Sequence, residues 1–248
     1  MPQFALFRGL VAAAGLALVA ACVPVAPPSP PPSSSPEVPA VGVAPQPPIV
    51  PPREAARNFV TVVQRVKPVA EAVCRETTRG VPCDLQIVVD DRPGLPPNAY
   101  QTLDRFGRPI VAFTVALIAD ARNEDELAFV MGHEAAHHIA GHIPRQQETA
   151  LTGALVAGVL ASVSGADPEA IRQAQDIGAT LGARTFSKEF ELEADQLGTI
   201  IAHRAGYDPL RGAQFFTRLP DPGDRFLGSH PPNGERIAAV RATLDRLR

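Results

Sequence analysis

Tryptophan is absent, tyrosine occurs twice, and aromatic residues make up only 5% of the chain. A core of stacked rings is excluded, so the interior must come from Val, Leu, Ile, Ala and eleven Phe. Basic blocks are missing too, and the formal net charge is -3. A nucleic-acid partner therefore has no electrostatic support. Three cysteines are too few for a disulfide-dense scaffold. What remains is a 248-residue chain with 45% apolar residues, which suits one catalytic-sized domain with attachments.

The first attachment is an export signal. Arg8 precedes an apolar run over residues 9–21. A spanning helix needs about 20 apolar residues, whereas a run this short has signal-peptide length. The run ends Val19-Ala20-Ala21-Cys22, and small residues just before a Cys resemble a bacterial lipobox. The expectation is a signal peptide over residues 1–21, with Cys22 acylated as a membrane anchor. An ordinary signal peptide ending near a Cys is the alternative. Val23 stands where an Asp would favour inner-membrane retention, which resembles an outer-membrane address. Residues 22–52 form a linker: 13 of the chain's 27 prolines lie in residues 23–52. Such a segment favours extended polyproline geometry and builds no core. With Cys22 acylated, Cys74 and Cys83 remain as a pair in an oxidising compartment. They are expected to form a disulfide, with two buried free thiols as the alternative.

Residues 53–248 read as the catalytic domain. Apolar spacing predicts a helix over 53–79, kinked at Pro68. Strands are expected at 85–89 and 110–115, with an edge strand at 98–102. Asn123 with Glu126 three residues on predicts a capped helix to about Gly141. The uncharged stretch 150–165 reads as a buried or lid helix, with a membrane-touching hairpin as the sharper alternative. Further helices are expected at 167–182, 187–205, 208–218 and 234–248. The fold class is α+β, mainly helical, with a small sheet beside the motif helix.

That motif is His133-Glu134-Ala135-Ala136-His137. Two His four residues apart lie about 40° apart on a helix, so both rings reach one tetrahedral zinc ion. Glu134 lies off that line and reaches the attacking water instead, as general base. Exposed histidines on an ordinary helix are the bland reading. Met131, Ala135, Ala136, Ile139 and Ala140 argue for burial, where a Glu between two His is costly without compensation. His142 lies nine residues after His133, about 180° round the helix, and cannot join the same metal if the helix continues. Ala140 and Ile143 stand where a metzincin needs Gly and His. His138 and His142 are then packing or supporting residues. For a third ligand, Glu191 and Asp195 share one helix face, while Glu193 points away and is expected to be solvated. A charged, solvated face remains the alternative on spacing alone.

Taken together, these motifs resemble metallopeptidase family 48, a gluzincin family. The likeness extends to Asn98-Ala99-Tyr100, to Glu126-Leu127, to residues 205–209, and to Ser229-His230-Pro231-Pro232 with Arg236. It covers roughly residues 53–248. It implies one zinc ion held by His133, His137 and Glu191, with Asp195 supporting a motif His. It also implies a substrate cleft walled by Asn98, Ala99 and Tyr100. It brings His230 near the metal, either to stabilise the oxyanion or to bind zinc and block the water; otherwise His230 is a surface-loop residue. Arg236 would support the same region. The activity implied is a zinc metalloendopeptidase of the bacterial envelope, in the exported branch, acting on misfolded or unassembled envelope proteins. The rivals are a chaperone-like binding module with latent zinc chemistry and a zinc amidase on cell-wall peptides.

Overall fold

The computed structural model describes residues 48–185, 187–221, 223 and 230–248. The signal segment, Cys22 and most of the Pro-rich linker lie outside the described residues, as does Ser229.

Helix α1 (Pro52–Thr77) buries Phe59, Val62, Val66, Ala70 and Val73 along one stripe. That three-to-four spacing is why this segment is helical and why one face meets the core. The helix continues past Pro68 to Thr77. Cys74, near its end, is disulfide-bonded to Cys83, with Cα atoms 5.7 Å apart. The bond ties α1 to the approach to strand β1 (Gln86–Asp90).

Strands β2 (Ala99–Leu103) and β3 (Pro109–Thr114) complete a sheet of order β1-β3-β2. β3 is central and pairs parallel to β1 and antiparallel to β2. Its Val111, Ala112 and Phe113 are buried, and Phe113 meets Phe59 of α1 edge-on at 5.1 Å. Two of the eleven phenylalanines thus join sheet to helix without any tryptophan. β2 lies at the sheet edge beside the site.

A short helix absent from the sequence reading, α2 (Val115–Asp120), follows β3 directly. Thr114 caps it by accepting from Leu117 N. Six residues carry too little periodicity to separate from the preceding apolar strand. The motif helix α3 (Glu124–Ile139) is buried on nearly every side. Asn123 caps it through Glu126 N at 3.0 Å. Glu126 does not close the expected box on Asn123. Its carboxylate accepts instead from Arg122 N at 2.9 Å and pairs with Arg218 at 2.6 Å.

Helices α4 (His142–Val163) and α5 (Pro168–Thr185) form a hairpin. Here the expectation of a buried helix over 150–165 is corrected. Leu151, Leu155, Val159 and Leu160 are each about 60% exposed. The two helices meet through Gly153, Gly158, Gly178 and Gly182, where any Cβ would strike the opposite helix. Small residues take the interface, and the branched ones are left outside. No helix among the described residues is long and apolar enough to cross a membrane.

Helix α6 (Ser187–Arg204) packs against α3. The expected helix over 208–218 is split into α7 (Pro209–Gly212) and a 3-10 helix (Ala213–Arg218). Helix α8 (Asn233–Leu247) closes the core through Val240 and Leu244. The class is α+β, mainly helical with a three-stranded sheet, as a zincin-like fold requires.

Candidate metal centre

α3 and α6 meet backbone to backbone at Gly132 and Gly198. A Cβ on Gly198 would lie 2.8 Å from His133 N, and one on Gly132 would lie 2.8 Å from Gly198 O. This approach brings the two motif histidines of α3 to Glu191 and Asp195 of α6. The glycines were not singled out from the sequence. Their signal was a residue without a side chain just before the first motif His, and another three positions after Asp195.

Three donor atoms converge there. His133 Nε2 and His137 Nε2 are 3.0 Å apart. Glu191 Oε2 lies 3.6 Å from His133 Nε2, and Oε1 lies 3.4 Å from His137 Nε2. Bonds of about 2.0–2.1 Å to a tetrahedral zinc ion would place neighbouring ligands about 3.3 Å apart. The donor set therefore fits a metal ion, and among the described residues these three form a group able to hold one.

Charge points the same way. Burial opposes ionisation of Glu191, but His133, His137 and His230 hold its carboxyl well below the usual range. Burial likewise opposes the charged form of His133, yet hydrogen bonds to Asp195 and Glu191 raise the ring to about 10. The carboxylates call for positive charge at this point, and a bound cation would supply it in place of a proton.

The supporting shell is dense. His133 Nδ1 lies 2.9 Å from Asp195 Oδ1, and Asp195 is fully buried. Arg236 donates to both Asp195 oxygens, from Nε to Oδ2 at 2.8 Å and from Nη2 to Oδ1 at 2.7 Å. Its guanidinium lies 3.6 Å over the Phe216 ring. His230 Nδ1 is 3.1 Å from Glu191 Oε2, so this loop histidine does reach the site. His138 turns away and bonds Pro82 O at 2.6 Å, a packing role. His142 approaches His137 because α3 breaks at Gly141, with φ 67, and the chain restarts as α4. Burial pushes His142 down to about 4. Glu193, expected to be solvated, is half-exposed and pairs with Arg145 at 2.7 Å and His142 at 3.2 Å.

His133, His137, His142, Glu191, His230 and Arg236 line a cleft of about 510 Å3. Glu134 lines it, and no hydrogen bond or ion pair among the described residues engages its carboxylate. The opposite wall carries Asn98, Ala99, Tyr100 and Gln101. Thr114 N donates to Asn98 O at 2.9 Å, which turns Asn98 and Tyr100 toward β3. By strand alternation the N–H and C=O groups of Ala99 and Gln101 face outward. The Tyr100 hydroxyl donates to Asp90 at 2.9 Å.

A helix-borne pair of histidines, a carboxylate from a second helix and a glutamate between the histidines make up the donor arrangement of a gluzincin-type centre. The model of Peptidase family M48 matches residues 61–244, and the chain belongs to that family. Among relatives, the beta-barrel assembly-enhancing protease of Escherichia coli is 32% identical over 58% of this chain and 32% of its own length. The mitochondrial metalloendopeptidase OMA1 of Saccharomyces cerevisiae is 27% identical over 67% of this chain and 48% of its own. Metalloprotease LoiP of Escherichia coli is 28% identical over 50% of this chain and 51% of its own. The chain thus spans about a third of the length of the beta-barrel assembly-enhancing protease.

Proposed function

We propose that this chain is a zinc-dependent endopeptidase of the bacterial cell envelope. One observation carries the reading: three converging donor atoms lie beside Glu134 in a cleft walled by strand β2, and among the described residues neither the Glu134 carboxylate nor the outer edge of β2 is engaged. His133, His137 and Glu191 hold the metal. Bound zinc would polarise the scissile carbonyl and acidify the attacking water.

The rest falls to the chain's own residues. An extended substrate adds a strand beside β2, hydrogen-bonded to the outward backbone of Ala99 and Gln101. This sets the scissile bond over α3. Glu134 takes the proton of the attacking water and returns it to the leaving nitrogen as the C–N bond breaks. Asp195, clamped by Arg236, holds His133 with its proton on Nδ1 and its lone pair toward the metal.

The substrates proposed are misfolded or unassembled envelope proteins, which the name of the Escherichia coli relative supports. Attachment through acylated Cys22, with the Pro-rich segment as spacer, would hold the domain on the periplasmic side, at the outer membrane. Substitution of Glu134 by Gln tests the mechanism: the account expects zinc retained and casein cleavage lost. Full cleavage by that variant would refute it.

A second reading has its own observation. His230 reaches Glu191 at 3.1 Å, so it would compete with the attacking water at a bound metal. The chain would then be a zinc-bound binding module with latent activity. Activity appearing only on replacing His230 by Ala would favour it.

A further inference from the structure

His142 is not a member of the donor set, yet it is buried and engaged at both ring nitrogens. Its Nδ1 lies 2.8 Å from His137 Nδ1, and its Nε2 lies 3.2 Å from Glu193 Oε2. Two ring nitrogens at 2.8 Å require one proton between them. Two bare lone pairs would repel, and two N–H groups would collide.

The rest of the site decides where that proton sits. His137 Nε2 faces His133 Nε2 at 3.0 Å and Glu191 Oε1 at 3.4 Å, so its lone pair must point at the metal position. A neutral imidazole with a bare Nε2 keeps its proton on Nδ1. His137 therefore donates from Nδ1 to His142 Nδ1. His142 must then carry its proton on Nε2 and donate to the Glu193 carboxylate. Arg145 donates to the same Glu193 Oε2 at 2.7 Å. With a cation between the two bare Nε2 atoms of His133 and His137, this ordering of protons satisfies every contact.

The packing holds the chain of groups in place. The His142 ring stacks on Phe190 at 4.6 Å with planes 12° apart. The Arg145 guanidinium lies 4.3 Å over the same Phe190 ring. Gly141, at φ 67, supplies the reversal that turns His142 back onto the helix it follows.

We propose that His142 is a positioning residue for the ligand His137, fixing its tautomer and orientation and coupling it to the negative charge of Glu193. This rests on the metal-centre reading above. The two ligand histidines are then oriented by unlike devices. His133 has a fully buried Asp195–Arg236 clamp, whereas His137 has a His–Glu–Arg chain that opens at the surface.

The test measures zinc affinity of the full chain by competition with a chromophoric chelator, alongside the absorption spectrum of the cobalt form. His142→Phe keeps ring and stacking but removes the acceptor. Loss of such a partner costs about 10–100-fold in metal affinity. His142→Asn returns an acceptor oxygen near the Nδ1 position and should restore affinity to within about threefold, together with the cobalt spectrum. Glu193→Ala should weaken zinc about three- to tenfold alone and cause no further loss in the His142→Phe background. Wild-type affinity in His142→Phe, or no rescue by His142→Asn, would overturn the proposal. If His142→Phe does not fold, Glu193→Ala on the half-exposed end decides, and unchanged affinity there overturns it. His137→Ala is the control: wild-type affinity in that variant would overturn the metal-centre reading itself.

Discussion

His133 Nδ1 and Asp195 Oδ1 stand 2.9 Å apart in the most buried part of the site, joining α3 to α6. Arg236 binds both oxygens of the same carboxylate, so α8 is tied to the pair as well. One contact thus serves the proposed ligand His133 and the packing of three helices.

Asp195→Asn separates these roles. The amide keeps the shape but leaves the Arg236 charge without its full counter-ion. Breaking a buried pair costs about 3–5 kcal/mol. Zinc affinity should also fall about 10–100-fold, because the Nδ1 partner of His133 is weakened. Thermal melts of the metal-free form and chelator competition read the two losses. A melt and an affinity both equal to wild type would refute this role.

The close approach of α3 and α6 yields a second prediction. Gly198→Ala places a Cβ 2.8 Å from His133 N, backbone that cannot swing aside. Overpacking of this kind costs about 1–3 kcal/mol. The helices must separate, and Glu191 moves away from His137. Lower thermal stability and weaker zinc binding are expected together. Gly165→Ala serves as a comparison, because a Cβ there meets nothing within 4 Å although its φ is 78. It should cost stability without touching zinc.

The free edge of β2 gives a third. Ala99→Pro removes one outward N–H and leaves the β3 ladder intact, a substitution that edge strands tolerate. Zinc content and melting temperature should stay near wild type, while cleavage of an unfolded protein falls at least about tenfold through KM. Unchanged kinetics would mean that substrate does not add to this strand.

Much of the site was legible because local rules place it. The spacing of His133 and His137 on a capped helix, the shared face of Glu191 and Asp195, and the edge position of Asn98 to Tyr100 follow from helix and strand periodicity. What was not legible depended on contacts far apart in the chain or on a single backbone angle. His142 was read as a packing or supporting residue, but its partner was not legible. Gly141 in the left-handed region breaks the motif helix and sends His142 back to His137. Glu193 was read as solvated because it opposes Glu191 on α6, but α4 supplies His142 and Arg145 on that side. The apolar stretch over 150–165 was read as a buried or lid helix, and its branched residues are exposed. The glycine stripe that turns it outward acts only once α5 is packed against it.

The central claim is that His133, His137 and Glu191 together hold one catalytic metal ion. Zinc content by atomic absorption, measured on the wild-type chain and on Glu191→Ala, tests it most directly. The account predicts about one zinc per wild-type chain, loss or marked weakening of zinc in the variant, and loss of casein cleavage in step. Wild-type zinc content and activity in Glu191→Ala would contradict it.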